Sequence, residues 1–253
     1  MLKNIIIVSF SGLVLFSKEF NTAVAQPRLI GSLLTAMMEF SSKIAGMPVS
    51  YIELKNVAST IVASDACNVY CALFHDTADG PAFGRLLAVQ ILNAFVNMYS
   101  KNLNNGAAGH DLKDFEDFHF KLKGAMKSCT GPLLAGLQSG GYGVDRALLV
   151  SSESKVFPGV HDQIGFRANL EVLKGVANHV MSIVSDGDVE EVWIDRGEGV
   201  RILVHRVPGW KATSLVLQCS NTAVDEQTTK TAIKDALRTL TKLNRLASSM
   251  ATR

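Results

Sequence analysis

The spacing of apolar residues changes along this 253-residue chain in an order that occurs twice. Two short runs dense in Val, Ile and Leu come first. A stretch with apolar residues at i, i+3, i+4 and i+7 follows, then three more short runs, then a second helical stretch. Short runs of apolar and β-branched residues make strands, and the 3.6-residue period makes a helix with an apolar face. Strands this close in sequence pair antiparallel, and the helices must lie on the sheet to bury their apolar faces. The pattern is therefore α+β: two layers in tandem, each a five-stranded antiparallel sheet with helices packed on one face. The halves share this pattern and little residue identity.

The opening run, Ile5-Ile6-Ile7-Val8-Ser9-Phe10 and Leu13-Val14-Leu15-Phe16, has Lys3 ahead of it and Ala23-Val24-Ala25 behind, as a secretory signal would. Lys18, Glu19 and Asn21 interrupt that pattern, and Ser11-Gly12 breaks the run as a turn. A β-hairpin of strands 2–9 and 13–20 is the preferred reading. Pro27 then opens a helix carrying Leu29, Ile30, Leu33, Leu34, Met37, Phe40 and Ile44, stopped by Gly46 and Pro48. Strands are expected over 49–54, 58–63 and 68–74. A helix over 83–103 is apolar almost all the way round, with Gln90, Asn93 and Asn97 as a thin polar stripe, so it must be covered on more than one side.

Asn104-Asn105-Gly106-Ala107-Ala108-Gly109 offers nothing to pack and reads as a linker, giving domains over 1–110 and 111–253. A third helix begins near Asp114, presents Phe115, Phe118, Leu122, Met126 and Cys129, and is interrupted at Thr130-Gly131-Pro132. A short helical piece over 133–138 follows. The second half continues with strands over 147–152 and 155–160 and a helix over 162–184. Strands over 189–195, 200–207 and 213–219 come next, and a last helix covers 225–247.

Composition excludes some functions. Hydrophobic residues at 47% and charged residues at 19% are incompatible with disorder as the main state. With 25 Lys and Arg against 23 Asp and Glu the net charge is +2, far from the strongly basic balance of a nucleic-acid binder. Four scattered cysteines make no disulfide framework.

Catalytic and ligand-binding patterns are largely missing. There is no Gly-x-x-x-x-Gly-Lys-Ser/Thr to cradle phosphates and no Gly-x-Ser-x-Gly elbow. The glycine-rich stretch 136–143 reads as a helix end and turn. Cys67 and Cys71, four apart, fall on one strand face with Val69 and Leu73, and so read as core thiols. Zinc would need more ligands than His75 and Asp76 supply. No metal, cofactor or catalytic residue is assigned. Asp65, His75 and Asp76 are the one place where an enzyme site would have to be sought. Trp193 and Trp210 are core or interface residues. On the last helix Lys230, Lys234, Arg238, Lys242 and Arg245 recur at nearly helical spacing opposite the leucines. They form a basic stripe suited to an anionic partner or membrane headgroups, or simply to solvent.

The stretch Ile5-Ile6-Ile7-Val8-Ser9-Phe10-Ser11-Gly12-Leu13-Val14-Leu15-Phe16-Ser17-Lys18, ahead of an amphipathic helix and three strands, resembles the opening of the longin and roadblock families. These share a profilin-like layout. The first half is similar to a longin domain over about 1–139; the second, with the helix near 114–139 preceding its sheet, resembles a roadblock or second longin domain. The signature is topological and carries no invariant catalytic motif. The resemblance implies a non-enzymatic scaffold or regulatory subunit of a small-GTPase-linked exchange, tethering or vesicle-trafficking complex. Its partners would be other longin- or roadblock-type subunits and a small GTPase. It would be a cytoplasmic protein, at most peripheral to membranes or the cytoskeleton. The alternative is a structural component of a cytoskeletal or axonemal assembly. The expected partner surfaces are Val89, Asn93 and Val96 on the apolar helix, Val192 and Ile194 on the strand over 189–195, and Leu173 and Val180 on the helix over 162–184.

Overall fold

The structure, a computed structural model, describes residues 1–20, 26–104, 112–151, 175, 179, 189–195, 199–210, 213–220 and 226–250. Packing divides the chain into two compact units, Met1–Cys129 with Leu246–Arg253, and Thr130–Arg245.

The first unit opens with β1 (Leu2–Ser9) and β2 (Val14–Glu19), paired antiparallel around a turn at Ser11-Gly12. Helix α1 (Pro27–Ala45) follows, with proline at its first position, where a missing N–H costs nothing. Strands β3 (Tyr51–Glu53), β4 (Ala58–Ser64) and β5 (Val69–His75) complete a five-stranded antiparallel sheet of order β2-β1-β5-β4-β3. The opening apolar run is thus an internal strand, with β1 between β2 and β5. Helix α2 (Gly80–Asn104) ends that pattern.

Side chains alternate across each strand, so the two faces of the sheet carry different sets. Ile6, Val8, Val14, Ile61 and Ala72 meet Ile30, Leu34 and Met38 of α1. Gly31 permits this approach, because a Cβ there would fall 2.8 Å from a Val14 methyl. Thr60 and His75 share the other face, and Gly84 of α2 lies against them. The sheet therefore carries a helix on each face, where the sequence pattern placed helices on one. The single 3-10 turn Thr77–Asp79 after β5 is enough to bring the chain onto that second face.

Helix α3 (Phe118–Lys127) belongs to the same unit. Phe118 stacks edge-on against Phe16 and Phe95, with ring centroids 5.0 and 5.1 Å apart. Phe115 lies 5.4 Å from Phe95 and 4.9 Å from Tyr99. These aromatic contacts bind residues 115–129 to α2. The compact units divide after Cys129.

The second unit contains α4 (Thr130–Ser139), β6 (Val144–Ser151), β7 (Glu191–Asp195), β8 (Val200–Arg206), β9 (Thr213–Ser220) and helix α5 (Glu226–Ser249) as far as Arg245. Its sheet is antiparallel with order β6-β9-β8-β7. That repeats the permutation β1-β5-β4-β3 of the first sheet, and a helix again follows the last strand. Leu149, Leu203, Leu215 and Leu217 pack against Ile233, Ala236, Leu237 and Leu240 of α5. The sheet has four strands among the described residues. The expected strand 155–160 and helix 162–184, with Leu173 and Val180, lie outside the described residues apart from positions 175 and 179. Both units are α+β layers of the profilin-like kind.

Candidate interaction surface

The residues with catalytic potential do not gather. Asp65 sits in the turn after β4, whereas His75 closes β5 and pairs with Ala58. A hairpin of this length separates them by about 20 Å. Asp76 turns to Lys3, with Nζ 3.1 Å from its Oδ1. His75 is fully buried; its Nδ1 lies 3.0 Å from the Asp76 carbonyl oxygen and its Nε2 2.8 Å from Thr60 Oγ1. A carbonyl only accepts, so Nδ1 carries the proton and the Thr60 hydroxyl donates to Nε2. Burial is the main reason its pKa falls below the usual imidazole value. Neutral, buried and satisfied, this is a structural histidine.

Cys71 and Cys129 are buried, and burial pushes both thiols up to about 12. Neither has the thiolate character of a nucleophile. Cys67 departs from the reading that places it on a strand beside Cys71. It lies in the β4–β5 turn and is half-buried, because Asn68 takes a left-handed backbone (φ 52°) and the strand starts only at Val69. Among the described residues no three His, Cys, Asp or Glu side chains could hold a metal ion. No described helix is long and apolar enough to cross a membrane.

Sequence pattern alone leaves α2 with an uncovered apolar side. In the structure Phe83, Leu87, Ile91, Leu92, Phe95 and Tyr99 are all buried, against the sheet on one side and the residues around α3 on the other. Asn93 is exposed, and Val89 and Val96 are half-buried. Most of the large apolar residues that mark this helix are buried inside the unit, while Met98 is exposed. On β7, Val192 and Ile194 are half-buried, with Val192 packed on Val150, Val204 and Val216. Trp193 points the other way and is exposed, its indole N–H donating to Glu191; Trp210 packs on the core of the second unit.

The uncovered apolar surface is on α1. Ile30, Leu34 and Met38 face the sheet, but Leu29, Leu33, Phe40 and Ile44 are 64%, 59%, 66% and 70% exposed. Ala36 lies among them, also exposed. Met47, 67% exposed, prolongs the row, its carbonyl accepting a 2.5 Å hydrogen bond from Ser41 Oγ. Positions 29, 33, 36 and 40 are separated by four, three and four residues, the interval of a helix–helix seam. The row runs about 22 Å along the helix from Leu29 to Ile44. Five large apolar side chains exposed to this degree make a patch on the order of 500 Å², the size at which exposed patches mark interaction sites. The edge strand β3 packs Ile52 onto the same cluster as Leu34 and carries Leu54, 65% exposed, just beyond its end.

The signal for this ridge is in the sequence. Leu29, Ile30, Leu33, Leu34, Met37, Met38, Phe40 and Ile44 cover about half the helix circumference, and a single sheet contact uses a narrower arc than that. Counted as one face, the excess is invisible.

On α5, Lys230, Lys234, Arg238 and Arg245 are exposed and Lys242 is half-buried, so the basic stripe does face solvent. Lys230 pairs with Glu226 at 2.8 Å.

No family model matches the chain, and neither does any curated protein. Solved structures do. MglB of Myxococcus xanthus is 12% identical over 47% of this chain and 89% of its own, with a TM-score of 0.40. A Roadblock/LC7 domain from Streptomyces avermitilis is 15% identical over 43% of this chain and 91% of its own, with a TM-score of 0.35. The gliding protein MglB of Thermus thermophilus aligns similarly, at 12% identity over 46% of this chain and 89% of its own, with a TM-score of 0.36. Each of these three matches spans under half of this chain and most of the other protein.

Proposed function

We propose that this protein is a non-enzymatic, cytoplasmic scaffold or regulatory subunit of a small-GTPase-linked complex, and that it joins that complex through the α1 ridge. The observation that carries the reading is the row Leu29, Leu33, Phe40 and Ile44, exposed on a helix whose opposite side is already buried. A surface of that area left in water is costly, and covering it is favourable at roughly 25 cal/mol per Å². The seam-like spacing suits another helix, and the short edge strand β3 beside it suits another sheet edge. A second domain of the same build, on another chain or on a second copy, supplies both. The buried state of His75, Cys71 and Cys129 supports a role without catalysis.

The GTPase-linked part of the reading follows from what the longin and roadblock resemblance implies. It is tested by binding the purified chain, with whatever co-purifies, to a panel of small GTPases loaded with GDP and with a GTP analogue. Nucleotide-dependent binding of at least one GTPase is expected. Uniform failure, with the complex intact, would favour a purely structural role in a larger assembly.

A further inference from the structure

We propose that the exposed basic arc of α5 is a docking surface for anionic membrane, holding the second unit against lipid headgroups by charge alone. This rests on observations separate from the α1 ridge.

Lys230, Lys234, Arg238 and Lys242 follow one another at intervals of four, and Arg245 falls back between them, so all five lie within about a third of the helix circumference. They extend about 22 Å along one side of α5. The opposite side is fixed to the second unit by Ile233, Leu237 and Leu240. It is fixed also by two hydrogen bonds: Thr229 Oγ1 donates to the Tyr142 carbonyl at 2.7 Å, and Asn244 Nδ2 donates to the Gly209 carbonyl at 2.7 Å. The arc thus cannot roll inward. Lys230 is paired with Glu226, whereas Lys234, Arg238 and Arg245 have no acidic partner among the described residues. Asp235 is the acid nearest the arc in sequence and makes no ion pair with it among the described residues.

What surrounds these cations selects the partner. No large apolar side chain of α5 is exposed among the described residues. A protein interface needs buried aromatic or aliphatic anchors at its centre. Single-stranded nucleic acid needs aromatic faces to stack on. Thr231, Asp235 and Ser248, the exposed uncharged or acidic neighbours, provide neither. An anionic bilayer surface needs only a line of cations, each of which raises the partition coefficient by about fivefold at physiological salt. The three cations without an acidic partner give an attachment on the order of a hundredfold. That is reversible and salt-sensitive, and strong only when a second contact holds the protein nearby.

The test is co-sedimentation of the full chain with phosphatidylcholine vesicles, with and without phosphatidylserine, at low and high salt. Wild type is expected to bind the phosphatidylserine vesicles selectively and to be released by salt. K234Q/R238Q should weaken binding by about 25-fold, two cations at about fivefold each. K113Q/K121Q, which removes the same charge from exposed positions in the first unit, should leave it within about threefold. Circular dichroism checks that each variant is folded. Equal binding to neutral vesicles, no binding to either, or equal loss in both double variants would overturn the proposal. So would tighter binding to a DNA duplex or a polyglutamate chain than to the anionic vesicles.

Discussion

Thr60 donates a hydrogen bond to His75 Nε2 at 2.8 Å across β4 and β5, and Gly84 of α2 lies directly over the pair. A Cβ at position 84 would fall 2.6 Å from that nitrogen and closer still to the threonine hydroxyl. The helix can seat on this end of the sheet only because residue 84 has no side chain. Gly84→Ala should therefore destabilise the first unit by about 1–3 kcal/mol, the usual cost of overpacking, despite alanine's better helix propensity. Urea unfolding followed by circular dichroism reads the change. An unaltered midpoint would mean that α2 has room to shift.

His75 makes stability depend on pH in a definite direction. Burial lowers its folded pKa below 6.5, so the unfolded chain takes up the proton first as pH falls. The stability associated with the neutral ring is complete above about pH 6.5 and is lost progressively as pH drops from there towards the folded pKa. His119 is lowered as well, chiefly by partial desolvation and then by Lys18, and acts in the same sense. The difference between wild type and His75→Asn isolates the first of them. Wild type should lose more stability than the variant does between about pH 7.5 and about pH 5.5, measured by unfolding at each pH. Parallel pH profiles would contradict the assignment.

The two sides of α1 should respond oppositely to substitution. Leu34 and Met38 are 3% and 4% exposed, and truncating either to alanine should cost about 2–5 kcal/mol. Leu33 and Phe40 are mostly exposed, so Leu33→Asp and Phe40→Asp should move the stability of the isolated chain by less than about 0.5 kcal/mol in dilute solution. Thermal unfolding of the four variants separates the faces.

Phe118 ties α3 to the first unit. Phe118→Ala removes the edge-on contacts to Phe16 and Phe95 and should cost about 3–5 kcal/mol. Amide exchange should speed up most over residues 118–127 and in the facing part of α2. Loss of protection confined to the second unit would mean that α3 belongs there.

Much of the architecture is legible because it depends on local pattern. The hairpin limits, the start of α1 at Pro27, and the strands β7, β8 and β9 ahead of α5 all follow from period, turn residues and proline placement. The rest depends on contacts distant in sequence. The all-round apolar character of α2 announces a second neighbour without saying that residues 115–129 supply it. On α1 the opposite holds: one broad apolar arc hides two faces, and only the sheet's position shows which is buried. Its spacing from Cys71 carries Cys67 onto the strand, where a left-handed Asn68 starts the strand later.

What α1 holds in the cell decides between a partnered subunit and a free one. Affinity purification of the tagged chain, beside the same chain carrying Leu33→Asp and Phe40→Asp, tests this in one measurement. Wild type should bring down a stoichiometric partner of the same build, whether a different chain or an untagged second copy, and the double variant should come down folded and alone. Recovery of the same partners in the same amounts by both would show that the ridge on α1 is not where the protein is held.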